Sequence, residues 1–231
     1  MKIVYLFLLL FSITSLLTAR AQSAFMQAQK SGWYPMFLLP VAETVTSNYH
    51  TRNLLDIGTG PGKLLDILIK RDSNLYLAGI DIDTEMINIA RNNIQHPHIT
   101  FQYELPGEKL AFEDSSFDVV SFCSVLFLLE DDTKRFLVEE ALRVLRPGGR
   151  VIVLTPSGRK PIISSFVEVW RYPFAASNWT FVAWKVFTTA SARRWVRASW
   201  LAEYAGKKSL HYSKQIVFNN NASIEIIEKG K

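Results

Sequence analysis

The sequence predicts an α/β fold: a doubly wound, mostly parallel seven-stranded sheet, with a C-terminal antiparallel hairpin and a helical insertion between strands five and six. Three observations predict it. Short apolar runs alternate with amphipathic helical stretches between residues 53 and 154. A glycine-rich turn carries the first of those runs directly into a helix. Two strand-like runs near the end of the chain are joined by Asn219-Asn220-Asn221-Ala222, which has turn chemistry.

Taken in order, Trp33 to Ser47 reads as a helix, with breaks expected near Pro35 and Pro40. Asn53–Ile57 is a short buried strand and Gly62–Lys70 a helix. Leu75–Ile80 is a strand and Asp83–Asn93 a helix. Ile99–Tyr103 and Phe117–Cys123 are strands. Thr133–Leu145 is an amphipathic helix ended by Pro147-Gly148-Gly149, and Arg150–Leu154 is the next strand. This alternation argues for parallel strands covered by helices on both faces. From Pro161 to Ala205 the pattern turns helical, aromatic and basic. His211–Phe218 and Ser223–Glu228 complete the sheet.

At 231 residues, with 48% hydrophobic and 20% charged residues, the chain suits one ordinary domain plus a terminal extension. Cys123 is the single cysteine, which excludes an internal disulfide and a Cys-rich zinc site. It lies in an apolar run and reads as a core thiol; no metal site is expected. Formal net charge is +5, unevenly placed. Residues 159–208 carry +7 and five of the six tryptophans, and the remainder carries −2. That segment is expected to meet something acidic or interfacial.

Residues 3–19 contain no charge, and Ala19-Arg20-Ala21 has the look of a cleavage site. The 1–22 segment is therefore read as a membrane anchor or a signal peptide. The domain is assigned to 23–231.

The chemistry is concentrated in Asp56-Ile57-Gly58-Thr59-Gly60-Pro61-Gly62-Lys63-Leu64. Glycines allow close approach of a ligand and positive φ, and the helix N-terminus presents spare N–H groups. A P-loop needs a different first glycine and a Ser or Thr after the lysine, so that reading fails. The dinucleotide fingerprint needs G-x-G-x-x-G, and the spacing here is Gly58-x-Gly60-x-Gly62.

The remaining pattern, D-x-G-x-G-x-G, resembles motif I of the class I, Rossmann-like S-adenosylmethionine-dependent methyltransferases. Four further stretches resemble that family in the expected order. They are Gly79–Arg91, Leu110–Asp118, Ser124–Leu129, and Leu142–Gly149 with its Arg-Pro-Gly-Gly turn. The resemblance covers roughly residues 50–156. It implies S-adenosylmethionine as cofactor, held by Asp56, Gly58, Thr59, Gly60, Gly62, Asp81 and Ile82. Asp81 would accept both ribose hydroxyls, and Ile82 would pack on adenine. Asp56 would orient the turn or contact the cofactor's amino group, and Gly58 and Gly60 would let its methionine part lie on the backbone. Two positions depart from the family: Pro106 stands where many relatives carry an acid for the adenine amino group, and Phe127 where many carry His. Glu104 and Glu108 are candidate substitutes for the acid.

The sequence assigns no catalytic residue. His96, His98 and Glu130 are the nearest ionisable candidates beside the expected ligand loops. The expected reaction is methyl transfer to a small, lipophilic acceptor. Residues 159–208 would form an aromatic and basic lid that also meets a membrane surface. Nucleic acid fits the heavily apolar segment less well. The domain would sit at a membrane, facing the cytoplasm, with export after cleavage as the alternative. An inactive cofactor-binding partner and a nucleotide-dependent oxidoreductase are the competing functions.

Overall fold

The computed structural model describes residues 25–47, 50–172 and 175–230. The 1–22 segment and Phe174, one of the aromatics of the expected lid, lie outside the described residues. The strands are β1 (Asn53–Ile57), β2 (Tyr76–Asp81), β3 (Ile99–Tyr103), β4 (Phe117–Cys123), β5 (Leu145–Pro156), β6 (His211–Val217) and β7 (Ala222–Glu228). The helices are α1 (Trp33–Thr46), α2 (Lys63–Arg71), α3 (Thr84–Asn93), α4 (Asp131–Val144), α5 (Ser164–Val169), α6 (Thr180–Ala198) and α7 (Trp200–Lys207). One sheet holds all seven strands in the order β3-β2-β1-β4-β5-β7-β6. Strands β1 to β5 pair in parallel, and β7 pairs antiparallel with both β5 and β6. The expected doubly wound architecture and terminal hairpin are both present.

The chain divides into two compact units. The larger comprises residues 35–160 and 190–231 and contains the sheet. Its core is built from the apolar positions of the strands, such as Leu55, Val120, Phe122 and Val153, together with Val138, Ala141 and Val144 of α4. Trp195, Leu201 and Tyr204 join the same core. In the smaller unit, residues 25–34 accompany 161–189. Within it Trp33 is buried against Phe181 and Trp184, with ring centroids 5.2 and 5.3 Å away. The Trp33 indole N–H donates to Thr180 Oγ1 at 3.0 Å, and the Gly32 N–H donates to Asn178 Oδ1 at 2.9 Å.

Three local expectations are corrected. The helix α1 runs unbroken through Pro40. Pro35 lies in the first turn, where a missing N–H costs nothing, and Phe37, Leu38, Val41 and Val45 are buried and outweigh the single bond lost at Pro40. The Pro147-Gly148-Gly149 turn belongs to β5 as an irregularity: pairing jumps from Phe117–Leu145 to Val119–Arg150. A Cβ on Gly149 would lie 2.9 Å from the Arg146 carbonyl oxygen and 3.0 Å from that of Asp118, so only glycine fits this crossing. Strand β6 stops at Val217, because Phe218, Asn219 and Asn220 all have positive φ and form the hairpin turn.

Candidate functional site

In the strand order, the chain leaves β1 towards β2 on one side and reaches β4 on the other. Crevices open at the carboxyl ends of strands where winding reverses in this way. A cavity of about 300 Å³ lies there. Gly58, Asp81, Ile82, Ser124 and Val125 border it from the ends of β1, β2 and β4. Glu104, Leu105, Pro106 and Glu108 border it from the loop after β3, and Thr133, Phe136 and Leu137 from the first turns of α4.

The glycine loop is folded back on the second strand. Both the Gly58 and Thr59 N–H groups donate to the Ile80 carbonyl, at 2.9 and 3.0 Å. The Gly60 N–H donates to Asp81 Oδ2 at 2.8 Å, and the Gly62 N–H to the Thr59 carbonyl at 3.1 Å. These four donors are spent inside the fold, so what the loop offers a ligand at these positions is bare backbone. Gly58 has φ +75°, and a Cβ there would lie 2.4 Å from Val125 Cγ2. Gly62, with φ +79°, is instead packed against Ile94 and Phe101.

Asp81 closes the other side. Its Oδ1 accepts from the Asp83 N–H at 3.0 Å, while Oδ2 holds Gly60. Asp83 then caps α3 by accepting from the Glu85 and Met86 N–H groups. Each Asp81 oxygen keeps a further lone pair for a ligand hydroxyl. Ile82 is 64% exposed on the cavity border.

Asp56 is buried behind the loop, where Ser121 donates a 2.7 Å hydrogen bond to its Oδ1. Burial pushes its carboxyl from 3.8 up to about 7, opposed by that hydrogen bond. Cys123 is half-buried, and desolvation with the nearby Asp56 carboxylate holds its thiol well above the ordinary range. It is a protonated, unreactive thiol.

The seven residues assigned to the cofactor therefore separate. Gly58, Asp81 and Ile82 border the cavity, Asp56 and Gly60 support it from behind, and Thr59 and Gly62 do not border it. The Thr59 side chain lies against Gly79. Pro106 sits on the border with both Glu104 and Glu108. Glu104 is the more enclosed of these two acids, and burial raises its carboxyl. Phe127 is buried in the sheet core.

The proximity of His96 and His98 is corrected. They precede β3, where the His98 carbonyl accepts from the Leu77 N–H at the start of β2, so they mark the opposite ends of the strands. Glu130 is exposed before α4 and does not border the cavity. Sequence reasoning missed Ser124. It has φ +62°, and its hydroxyl is buried without a partner on the cavity border. A strained non-glycine at a ligand site is a recognised pattern, but nothing local in Cys123-Ser124-Val125 signals it. Among the described residues, no group of three or more His, Cys, Asp or Glu side chains is placed to hold a metal ion.

The family model described as a methyltransferase domain matches residues 55–153. A ubiquinone/menaquinone biosynthesis C-methyltransferase of Geotalea daltonii is 30% identical over 105 residues, 44% of this chain and 44% of that protein. An N-demethylindolmycin N-methyltransferase of Streptomyces griseus is 29% identical over 123 residues, covering 52% and 51%. The chain thus spans about half the length of the curated relatives it matches. Among solved structures, the plantazolicin methyltransferase aligns with a TM-score of 0.64 at 17% identity, over 92% of this chain and 95% of that one. An S-adenosylmethionine-dependent methyltransferase of Methanococcus maripaludis aligns at 0.63 and 17%, over 91% and 94%. These two likenesses concern the fold.

Proposed function

We propose that the chain, whose residues 55–153 match the model of a methyltransferase domain, transfers a methyl group from S-adenosylmethionine to a small, apolar acceptor at a membrane. The observation that carries this reading is the cavity at the strand-order reversal, with bare backbone at Gly58 facing the Asp81 carboxylate and the exposed Ile82.

The residues present fit the cofactor. Asp81 would take the ribose hydroxyls on the lone pairs left by Gly60 and Asp83. Ile82 would regain an apolar neighbour against the adenine, and the Ser124 hydroxyl would gain the partner it lacks. Glu104, on the border behind Pro106, would take the adenine amino group. Asp56, behind the loop, would favour a positive charge held in front of it. The bound cofactor supplies a methyl group already activated on a positively charged sulfur. The chain's own task is then to position the acceptor and exclude water, which the border of Leu105, Val125, Leu128, Leu129, Phe136 and Leu137 serves. No general base is assigned.

The apolar border favours an apolar acceptor. So do relatives named for ubiquinone/menaquinone biosynthesis and for demethylmenaquinone. The lid expected over 159–208 belongs to the same reading. Trp195, Leu201 and Tyr204 are core residues of the sheet unit and take no part in covering the acceptor. The membrane setting is supported by the uncharged run 3–19, with the domain on the cytoplasmic side, where S-adenosylmethionine is found. No described helix is long and apolar enough to cross a membrane.

Tritiated-methyl transfer into fractions of a cell lysate tests the reading. Label is expected in the organic-soluble fraction. Label confined to water-soluble molecules overturns the apolar acceptor. Cofactor binding without any transfer favours the inactive-partner alternative.

A further inference from the structure

The smaller unit contains a helix that is turned inside out. From Ile163 (φ −58°, ψ −29°) to Trp170 (φ −73°, ψ −6°), around α5, both flanking residues keep right-handed helical backbone. Ile163, Phe166, Val167 and Trp170 are spaced i, i+3, i+4 and i+7, so they share one face. They are 76%, 47%, 69% and 70% exposed. The polar residues Ser165 and Glu168 are buried on the other side, together with Val169. A surface helix in water shows the reverse arrangement. The Trp179 ring, half-exposed, lies 6.0 Å from that of Phe166 and widens the apolar face.

Arg171, at the end of this helix, pairs with the buried Glu168 at 3.5 Å and keeps its exposed side towards solvent. Among the described residues of the unit, the exposed charged side chains are Lys30 and Arg171. Glu168 and Lys185 are buried. The same face of a second copy would bring the same cations and, among the described residues of its unit, no exposed acid to meet them. Anionic headgroups would pair with both.

We propose that the face formed by Ile163, Phe166, Val167 and Trp170 docks into the interfacial layer of an anionic bilayer. The aliphatic and phenyl groups reach the acyl boundary, the Trp170 indole lies at headgroup level, and Arg171 meets lipid phosphate. The uncharged run 3–19 is a second apolar signal on the same chain, and stable attachment takes two such signals. This deepens the membrane setting proposed above and stands apart from the methyl-transfer chemistry.

The test uses the full chain carrying Val167→Cys, spin-labelled, with a second sample labelled through Lys207→Cys in the sheet unit. Cys123, half-buried and protonated, is the background site, measured in the unsubstituted chain. On adding phosphatidylethanolamine/phosphatidylglycerol vesicles, the label at 167 should become accessible to oxygen and shielded from an aqueous nickel complex. The label at 207 reads separately whether the sheet unit also meets the bilayer. In flotation, Val167→Glu with Trp170→Glu should lower vesicle partitioning by about tenfold or more. The proposal is overturned if vesicle-bound protein keeps the label at 167 in water, if the chain ignores vesicles, or if shielding appears without vesicles as protein concentration rises. The last result would assign the face to a second copy. S-adenosylmethionine affinity of the double variant, measured alongside, is expected to match the wild type. Failure of docking is thereby separated from failure of the cofactor reading.

Discussion

Two residues at the candidate site hold the fold and border the cavity at once, and their substitutions should show both effects. Asp81 accepts from Gly60 and Asp83, so Asp81→Ala frees the glycine loop and removes the proposed ribose acceptor. Its S-adenosylmethionine binding should weaken by roughly 1.5–3 kcal/mol, read by calorimetry on folded protein. Wild-type affinity would remove Asp81 from the site. Gly58→Ala meets left-handed strain of about 1–2 kcal/mol and a methyl clash with Val125. Lower stability in urea is expected, with cofactor binding lost further because Val125 is driven into the cavity. Asp56 has a different signature. Its carboxyl moves from 3.8 to about 7 on folding because burial disfavours the charge, so the folded state holds a proton that the unfolded state gives up. The associated stability is whole below pH 4 and declines as pH rises to 7, by of order 4 kcal/mol. Asp56→Asn keeps the Ser121 hydrogen bond and should flatten this decline in stability curves taken from pH 4 to 8. An unchanged slope would place the titration elsewhere.

At the scale of elements, the Leu110–Asp118 stretch owes its shape to α4. Arg143 donates to the Leu110 and Phe112 carbonyls at 3.0 and 2.8 Å, to Asp114 at 2.7 Å and to Glu140 at 2.7 Å. Glu140 in turn accepts from the Leu110 N–H at 2.9 Å. The guanidinium holds the Asp114 and Glu140 carboxyls below their ordinary range. A resemblance read as a linear motif is thus a loop clamped by an arginine some thirty residues away. Arg143→Ala should cost about 2–3 kcal/mol, since two backbone carbonyls and Glu140 lose a charged donor. Hydrogen exchange should rise across residues 108–116 before it rises in β1. If protection there is unchanged, the clamp does not hold the loop. A second tie fixes the hairpin: Glu225 is buried and accepts from the Trp195 indole at 2.7 Å and the Tyr212 hydroxyl at 2.6 Å. Trp195 is therefore a core residue, and the interfacial role expected for it from sequence does not survive.

For the whole molecule, the match of residues 55–153 to the model of a methyltransferase domain predicts which nucleotide stabilises the fold. S-adenosylmethionine or S-adenosylhomocysteine at about one hundred times Kd should add about 2.7 kcal/mol and raise Tm by about 5–10 °C, and NAD should leave it unmoved. A larger shift with NAD would reinstate the oxidoreductase alternative. The succession of strands and helices, the glycine loop and the terminal hairpin were legible in the chain, whereas the cap at Asp83, read as part of its helix, was not. Each of the legible features depends on periodicity or turn chemistry within a dozen or so neighbouring residues. Membership of the cavity was legible only in part, at Gly58, Asp81 and Ile82. Gly58, Asp81, Ser124 and Phe136 meet only because parallel pairing brings four strand ends and a helix start together, so local pattern placed Gly62 and Thr59 in the site and passed over Ser124. The aromatic, basic stretch shows the same division. Trp170 and Trp195 stand in similar local company. Trp195 became core because β7 offered it a carboxylate and an apolar bed, whereas Trp170 lies outward on a helix whose buried side is Ser165, Glu168 and Val169. The sequence by itself determined which segments are strands and helices; which face of each is inside was decided by tertiary packing, because burial is set by partners distant in the chain.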